Sequence, residues 1–223
     1  MSIAACNACY ALLQEYNIDN VLSLSSHCSS IVNKASRKIN LIYRTFLSGN
    51  RDNFVRAFTV YVRPMLEYCS TVWSPYCSKH IKLIEAVQRR FTKRLPGLRD
   101  LSYAQRLKEL NLESLHSRRT KADLLMTYKI LFGLVNVDRD KFFSLAVDNA
   151  NFVHTRGHQF KLNICRARLN ARKHFFSSRI VSIWNSLPSS VDYSSLRAFK
   201  TSLTSFSFDS IIESKTAIIN LFT

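Results

Sequence analysis

Residues that interrupt regular structure are scarce in this sequence. Its 223 residues include only four glycines and four prolines, whereas a many-stranded β-sandwich needs turn residues every few positions. Hydrophobic residues make up 47% of the chain, which is enough for a buried core and excludes wholesale disorder. The sequence therefore predicts a mainly α fold.

Apolar residues recur at three- and four-residue steps in several segments, which is the spacing of one helix face. The clearest segment runs from Lys79 to Leu95 and ends at Pro96-Gly97. Ser102 and Gln105 have capping-box spacing and predict a helix starting at Tyr103. Other helices are predicted over 31–46, over 54–68 with a kink or break at Pro64, and over 114–132, 173–187 and 196–206. Residues 152–169 look β-like or extended, and the loop over 136–151 is the predicted boundary between two parts.

The charge of the chain is strongly one-sided. Thirty-two Lys and Arg stand against fifteen Asp and Glu, which gives a net charge of +17. Such an excess of cations repels itself unless a polyanion neutralises it. Nucleic acid is the first candidate partner and an anionic membrane surface the second. No apolar run approaches the ~20 residues that a bilayer span requires, so no membrane partner is expected.

The cations gather in three places. The helix over 79–95 carries a cationic stripe opposite its apolar stripe, with Glu85 as the only nearby acid. A second cluster begins at Arg118, and a third lies between Arg166 and Lys173. A solvated helix face would mix charges of both signs, and these clusters do not. The predicted nucleic-acid-binding residues are Lys82, Arg89, Arg90, Lys93, Arg94, Arg118, Arg119, Lys121, Arg172 and Lys173.

The sequence contains no recognisable catalytic or metal centre. The CxxC pair Cys6 and Cys9 lacks the second pair that a structural zinc site needs. His154 and His158 flank Gly157, which disfavours a chelating helix. There is no nucleophile elbow and no glycine-rich phosphate loop. We therefore expect no catalytic residue, metal, cofactor or small-molecule substrate. The absence of a secretory signal indicates reduced cysteines and an intracellular protein that is not secreted.

Several motifs in order resemble one protein family. They are YVRPMLEYCSTVWSPYCSKHIKLIEAVQRRFTKRLPGL, LSYAQRLKELNLESLHSRRTKADLLMTYKILFGLV, TRGHQFKL, ARKHFFSSRIVSIWNSLPSSV and AFKTSL. Together they resemble the region C-terminal to the palm in non-LTR (LINE-type, jockey-like) retrotransposon reverse transcriptases. The resemblance implies a helical thumb-like domain over 27–135 and a smaller mixed α/β-like C-terminal region over 136–208. Residues 1–26 form an unmatched N-terminal segment, and residues 209–223 form a tail.

The resemblance also implies a function. Intact family members are RNA-directed DNA polymerases that use Mg, and their catalytic aspartates lie in the palm in an aromatic-x-Asp-Asp pattern. This sequence lacks that pattern and the endonuclease, so it resembles a truncated copy without enzymatic activity. A thumb grips its template–primer through backbone phosphates, which implies RNA or an RNA–DNA hybrid duplex as partner and a nuclear location. Two alternatives stay open: a non-enzymatic helical protein-interaction module and a non-functional transposon remnant.

Overall fold

The fold is a set of helices divided into two compact units. The structure, a computed structural model, describes residues 25–46, 50–148, 157–165, 168 and 170–204. One unit, here called the N-terminal unit, comprises the described residues up to Arg119, and the C-terminal unit those from Thr120 onward. The mainly α fold is confirmed. The division falls between these two neighbouring residues, inside a helix that precedes the predicted boundary loop.

The N-terminal unit is built from helices joined by short turns. Its elements are α1 (Ser25–Thr45), α2 (Arg51–Ala57), a π-helical turn (Phe58–Val62), α3 (Arg63–Glu67), α4 (Ser70–Trp73), α5 (Ser78–Lys93), α6 (Tyr103–Glu109) and the start of α7 (Leu115–Leu131). The predicted helix over 79–95 is α5, and the predicted capping box is present at the start of α6, with Ser102 and Gln105 each bonding the other's backbone N–H.

A continuous apolar core fills this unit. α1 and α5 pack side by side, and each contributes the apolar face that its helical periodicity predicts. The rings of Phe58 and Phe91 stack with centroids 4.4 Å apart, and Trp73 is buried in the same cluster. Aromatic burial of this kind is the largest single contribution a side chain makes to a small core. The orientation of α5 is therefore fixed by its inward face.

Pro64 widens a helix rather than ending it. The chain runs without a break from α2 through the π-helical turn into α3, where Pro64 occupies the first turn. Proline lacks a backbone N–H, and its ring collides with the carbonyl four residues earlier in a regular α-helix. A π-helical turn just before the proline loosens this crowding. The predicted break at Pro64 is therefore absent, and the helix instead changes type between Val62 and Arg63.

The C-terminal unit has shorter elements. After the remainder of α7 come two 3₁₀ turns (Arg139–Lys141 and Ala146–Asp148), α8 (Asn170–Lys173), α9 (Phe176–Arg179), α10 (Val181–Asn185) and α11 (Leu196–Thr204). Trp184 and Phe199 are fully buried at its centre. An ion pair between Asp123 and Arg179, with Nε and Oδ2 2.9 Å apart, joins α7 to α9.

Two sequence predictions for this unit need correction. The single helix predicted over 173–187 is wrong, because α8, α9 and α10 are separate short helices. Short turns can bury the same in-phase apolar residues that one long helix would bury. The β-like stretch over 152–169 is described only in part. Within the described residues the β pairing there is one isolated antiparallel bridge between Leu145 and Leu162, and the rest of the described stretch is loop rather than strand.

Candidate nucleic-acid interface

The inward face of α5 holds the helix against the core. Ile84, Val87 and Phe91 are each at most 1% exposed. α5 ends at Lys93, and in the turn that follows Gly97 adopts a φ of +72°, a left-handed conformation that favours glycine. With its apolar face buried and its end fixed, α5 turns its other face to solvent.

That outer face carries the cationic stripe predicted from the sequence. All five predicted residues of α5 and its end are exposed, and they are Lys82, Arg89, Arg90, Lys93 and Arg94. The ion pairs found among the described residues involve other cations. In the part of the chain that the structure describes, this stripe has no carboxylate partner, and its positive charge is directed to solvent.

Neutral groups hold two of these arginines against α1. The Arg94 guanidinium lies over the ring of Tyr43, with Cζ 4.0 Å from the ring centroid, and its Nη1 donates to Oδ1 of Asn40 at 3.0 Å. Arg90 donates from Nη2 to Oγ of Ser36 on α1 at 3.5 Å, and from Nε to the carbonyl oxygen of Ala86 on α5 itself at 3.2 Å. Burial raises the pKa of Tyr43 to about 12, against the opposing effect of the Arg94 charge. Tyr43 therefore stays neutral and does not form an ion pair with Arg94.

Arg89 is held on the other side of α5, towards α6. Its Cζ lies 4.9 Å from the centroid of the Tyr103 ring. The Tyr103 hydroxyl donates to the Glu85 carboxylate. Burial, and then the negative charge of Glu85, raise the pKa of Tyr103 above its usual range. Aromatic rings thus position Arg89 as well as Arg94 without cancelling the charge of either.

Glu85, the one acid near the stripe in sequence, points inward. It is 8% exposed, and its carboxylate accepts hydrogen bonds from the backbone N–H groups of Leu115 at 3.2 Å and His116 at 3.3 Å. These N–H groups open α7 and have no intrahelical acceptor. The carboxylate therefore caps α7 and is buried, although Glu85 lies on the same side of α5 as Arg89, four residues later.

The other predicted cations have different surroundings. Arg118 forms a bidentate ion pair with Glu67, in which Nη2 and Oε2 are 2.9 Å apart. Arg119 is only 2% exposed, and Lys121 is half-buried. Arg172 and Lys173 are exposed, but they lie on α8 in the C-terminal unit. The structure thus groups the five α5 cations and does not place Arg118 or Arg119 among exposed residues.

α1 adds cations that the sequence analysis missed. Arg37 and Arg44 are exposed. They lie three residues before and four residues after Asn40, so they share the helix face that contacts Arg94. The sequence does show these two arginines on the polar side of an amphipathic helix. Its relevance depends on the packing of α1 against α5, which periodicity alone does not reveal.

No described feature indicates a metal centre or a membrane span. Among the described residues, no group of three or more His, Cys, Asp or Glu side chains could hold a metal ion. Cys6, Cys9 and His154 lie outside the described residues. His158 is buried, with its Nε2 2.9 Å from the carbonyl oxygen of Trp184. No helix in the described ranges is both long enough and apolar enough to cross a bilayer.

Comparison with known proteins gives a limited result. No protein-family model matches the chain, and no solved structure matches it. The chain is similar to a protein of Caenorhabditis elegans named Uncharacterized protein B0403.1, with 28% identity over 119 residues. The match covers 52% of this chain and 60% of that protein. The chain therefore spans less than two thirds of the length of this relative.

Proposed function

We propose that the chain is a fragment of a non-LTR retrotransposon reverse transcriptase that binds template–primer nucleic acid through its backbone phosphates. Two observations support the proposal. The ordered motifs of the sequence resemble the region after the palm in that family, and α5 presents five exposed cations without a carboxylate partner in the described part of the chain. The exposed cations of α5 are the observation that supports binding through phosphates.

The chemistry of this surface suits a polyanion. When Lys and Arg side chains of a protein bind phosphates, they release the counterions that were condensed there, and each such contact makes binding more dependent on salt. Phosphate contacts fix position and carry little sequence information. The partner we propose is an RNA–DNA hybrid duplex or RNA, bound with weak sequence preference. The proposal includes no catalytic step, since the palm aspartates of the family have no counterpart in this sequence.

A salt titration of hybrid-duplex binding tests this proposal. The full chain and a variant with Arg89, Arg90, Lys93 and Arg94 all changed to Gln are compared by fluorescence anisotropy over a range of salt concentrations. Each lost phosphate contact removes about 0.9 from the slope of log affinity against log salt. We expect the slope of the variant to be flatter by between about 3 and 4, with weaker binding at every salt concentration.

A second variant matches the change in net charge elsewhere. Arg139, Lys141, Arg197 and Lys200 belong to the C-terminal unit, and changing all four to Gln removes the same formal charge. We expect its slope to stay close to that of the unchanged chain. Equal flattening in both variants would show that net charge, and not the α5 surface, determines binding. An unchanged slope in the α5 variant would refute the role of that helix.

One observation favours a second candidate, a protein-interaction module. Val60 and Tyr61 are 54% and 58% exposed on the π-helical turn, and large apolar side chains that are adjacent and exposed are typical of contact surfaces. Apolar association survives high salt, whereas phosphate binding does not. Self-association of the chain at high salt that is lost in a Val60→Lys, Tyr61→Lys variant would support this candidate. A monomer at all salt concentrations would contradict it.

A further inference from the structure

A groove of about 290 Å³ lies between α1 and α5 in the N-terminal unit. Its floor is apolar and includes the buried residues Ile39 and Val87. Ser36 and Asn40 of α1 form its polar edge. The groove is part of the α1–α5 packing, and it therefore exists only because these two helices meet.

The opposite edge of the groove is cationic. Arg90, Lys93 and Arg94 line it from α5. Arg94 uses Nη1 for Asn40 and stacks on Tyr43, which holds the guanidinium plane and leaves its Nε and Nη2 hydrogens for another acceptor. Arg90 reaches the same edge, with Nη2 3.5 Å from Oγ of Ser36. Two guanidinium groups fixed in this way suit the oxygens of one phosphate, which arginine binds in bidentate fashion.

We propose that this groove binds one nucleotide of a single-stranded polynucleotide, with its phosphate at Arg90 and Arg94 and its base against Ile39 and Val87. The inference rests on the proposed function and adds to it a site for unpaired nucleic acid. The charge of the edge and the apolar character of the floor match the two halves of a nucleotide. The volume lies just below the range for ligand sites, about 300 to 1,000 Å³, which limits the occupant to one nucleotide unit.

The apolar floor favours a single strand over a duplex. In a duplex the bases are stacked and paired, so a protein surface beside the backbone meets phosphates and sugars. An unpaired strand can turn a base outward, and contact between that base and a side-chain surface adds affinity that a duplex cannot supply. A surface that contacted duplex phosphates alone would gain nothing from Ile39 and Val87. Lys82 and Arg89, which lie outside the groove, remain contacts for phosphates of either form.

The test compares two ligands on the full chain. A short fluorescein-labelled oligothymidine serves as the single strand, and an RNA–DNA hybrid serves as the duplex. Ser36→Phe fills the groove without changing charge, and Arg94→Gln removes one phosphate donor. We expect Ser36→Phe to weaken oligothymidine binding by about tenfold while duplex binding changes by less than about twofold. Arg94→Gln should weaken oligothymidine binding more than duplex binding.

Lys82→Gln is the matched control, because it removes one charge from the same helix outside the groove. It should weaken binding of both ligands by the same factor. The inference is overturned if Ser36→Phe leaves oligothymidine binding unchanged, if it weakens both ligands equally, or if labelled oligoglutamate binds the unchanged chain as tightly as oligothymidine. Should circular dichroism show that Ser36→Phe unfolds the chain, the comparison of Arg94→Gln with Lys82→Gln decides in the same way.

The two proposals fail in different ways. A chain that binds the hybrid duplex but not oligothymidine contradicts the groove site and leaves the proposed function intact. A chain that binds neither ligand at low salt contradicts both.

Discussion

The molecule contains two pairs of consecutive arginines whose surroundings differ. Arg89 and Arg90 lie on α5, and Arg118 and Arg119 lie on α7. In sequence both pairs are adjacent cations within predicted helices. In the structure the α5 pair is exposed and has neutral neighbours, whereas Arg118 is paired with Glu67 and Arg119 is 2% exposed.

The difference decides which pair can bind an external anion. An exposed arginine held by an aromatic ring or an amide contacts a phosphate with little loss of hydration. Arg118 would first have to leave its carboxylate, and Arg119 would have to leave the interior of the unit. Separating a buried charge from its surroundings is strongly unfavourable. A basic cluster in a sequence therefore indicates a polyanion partner only where folding leaves the cations exposed.

The largest expected effect is on stability, from a charge reversal at Arg119. Arg119→Glu places a carboxylate in an enclosed site that accommodates a guanidinium, and we expect the free energy of unfolding to fall by about 3 to 5 kcal/mol. Arg90→Glu makes the same change on the exposed face and should alter it by less than about 0.5 kcal/mol. Urea unfolding followed by circular dichroism measures both. Similar losses in the two variants would remove the contrast between the two arginine pairs.

A pH titration of stability should report on the buried surroundings of Arg119 through its neighbour His116. Burial, and then the charge of Arg119, lower the pKa of His116 to about 4 from a usual 6.5. Between these values the unfolded chain binds a proton that the folded chain excludes, so the free energy of unfolding falls as pH decreases from about 6.5 to 4. The full loss is about 3 kcal/mol.

The matched variant for this titration is His116→Gln, which cannot gain the proton. The stability of the unchanged chain should approach or fall below that of the variant as pH drops through this window, while other titrating groups affect both equally. Stability curves that stay parallel from pH about 7 to about 4 would show that His116 is protonated normally in the folded chain.

The smallest expected effect concerns the ion pair of Arg118. Its side chain is 31% exposed and that of Glu67 is 22% exposed, so water partly screens the attraction. A double-mutant cycle with Glu67→Ala and Arg118→Ala should give a coupling of about 1 kcal/mol that weakens with added salt. The same cycle between Glu67 and Arg90 serves as the control and should give no coupling. A zero coupling for Arg118 would mean that it is as available as the α5 cations.

Much of the helical architecture could be predicted from local sequence. The α5 prediction over 79–95 agrees closely with the observed Ser78–Lys93, because both the apolar repeat and the Pro-Gly ending act within a few residues. The capping box at Ser102 is equally local. The failed helix over 173–187 shows the limit of periodicity, since apolar residues in helical phase also fit three short helices that each turn to the core.

The sequence alone determined that this chain is helical, strongly basic and supplied with a cationic stripe opposite an apolar one. Tertiary structure decided which cations are exposed, where Glu85 points and where a groove forms between α1 and α5. The physical reason is distance along the chain. Helix periodicity and capping depend on residues up to four positions apart, whereas Glu67 and Arg118 are 51 positions apart, and only packing brings them together.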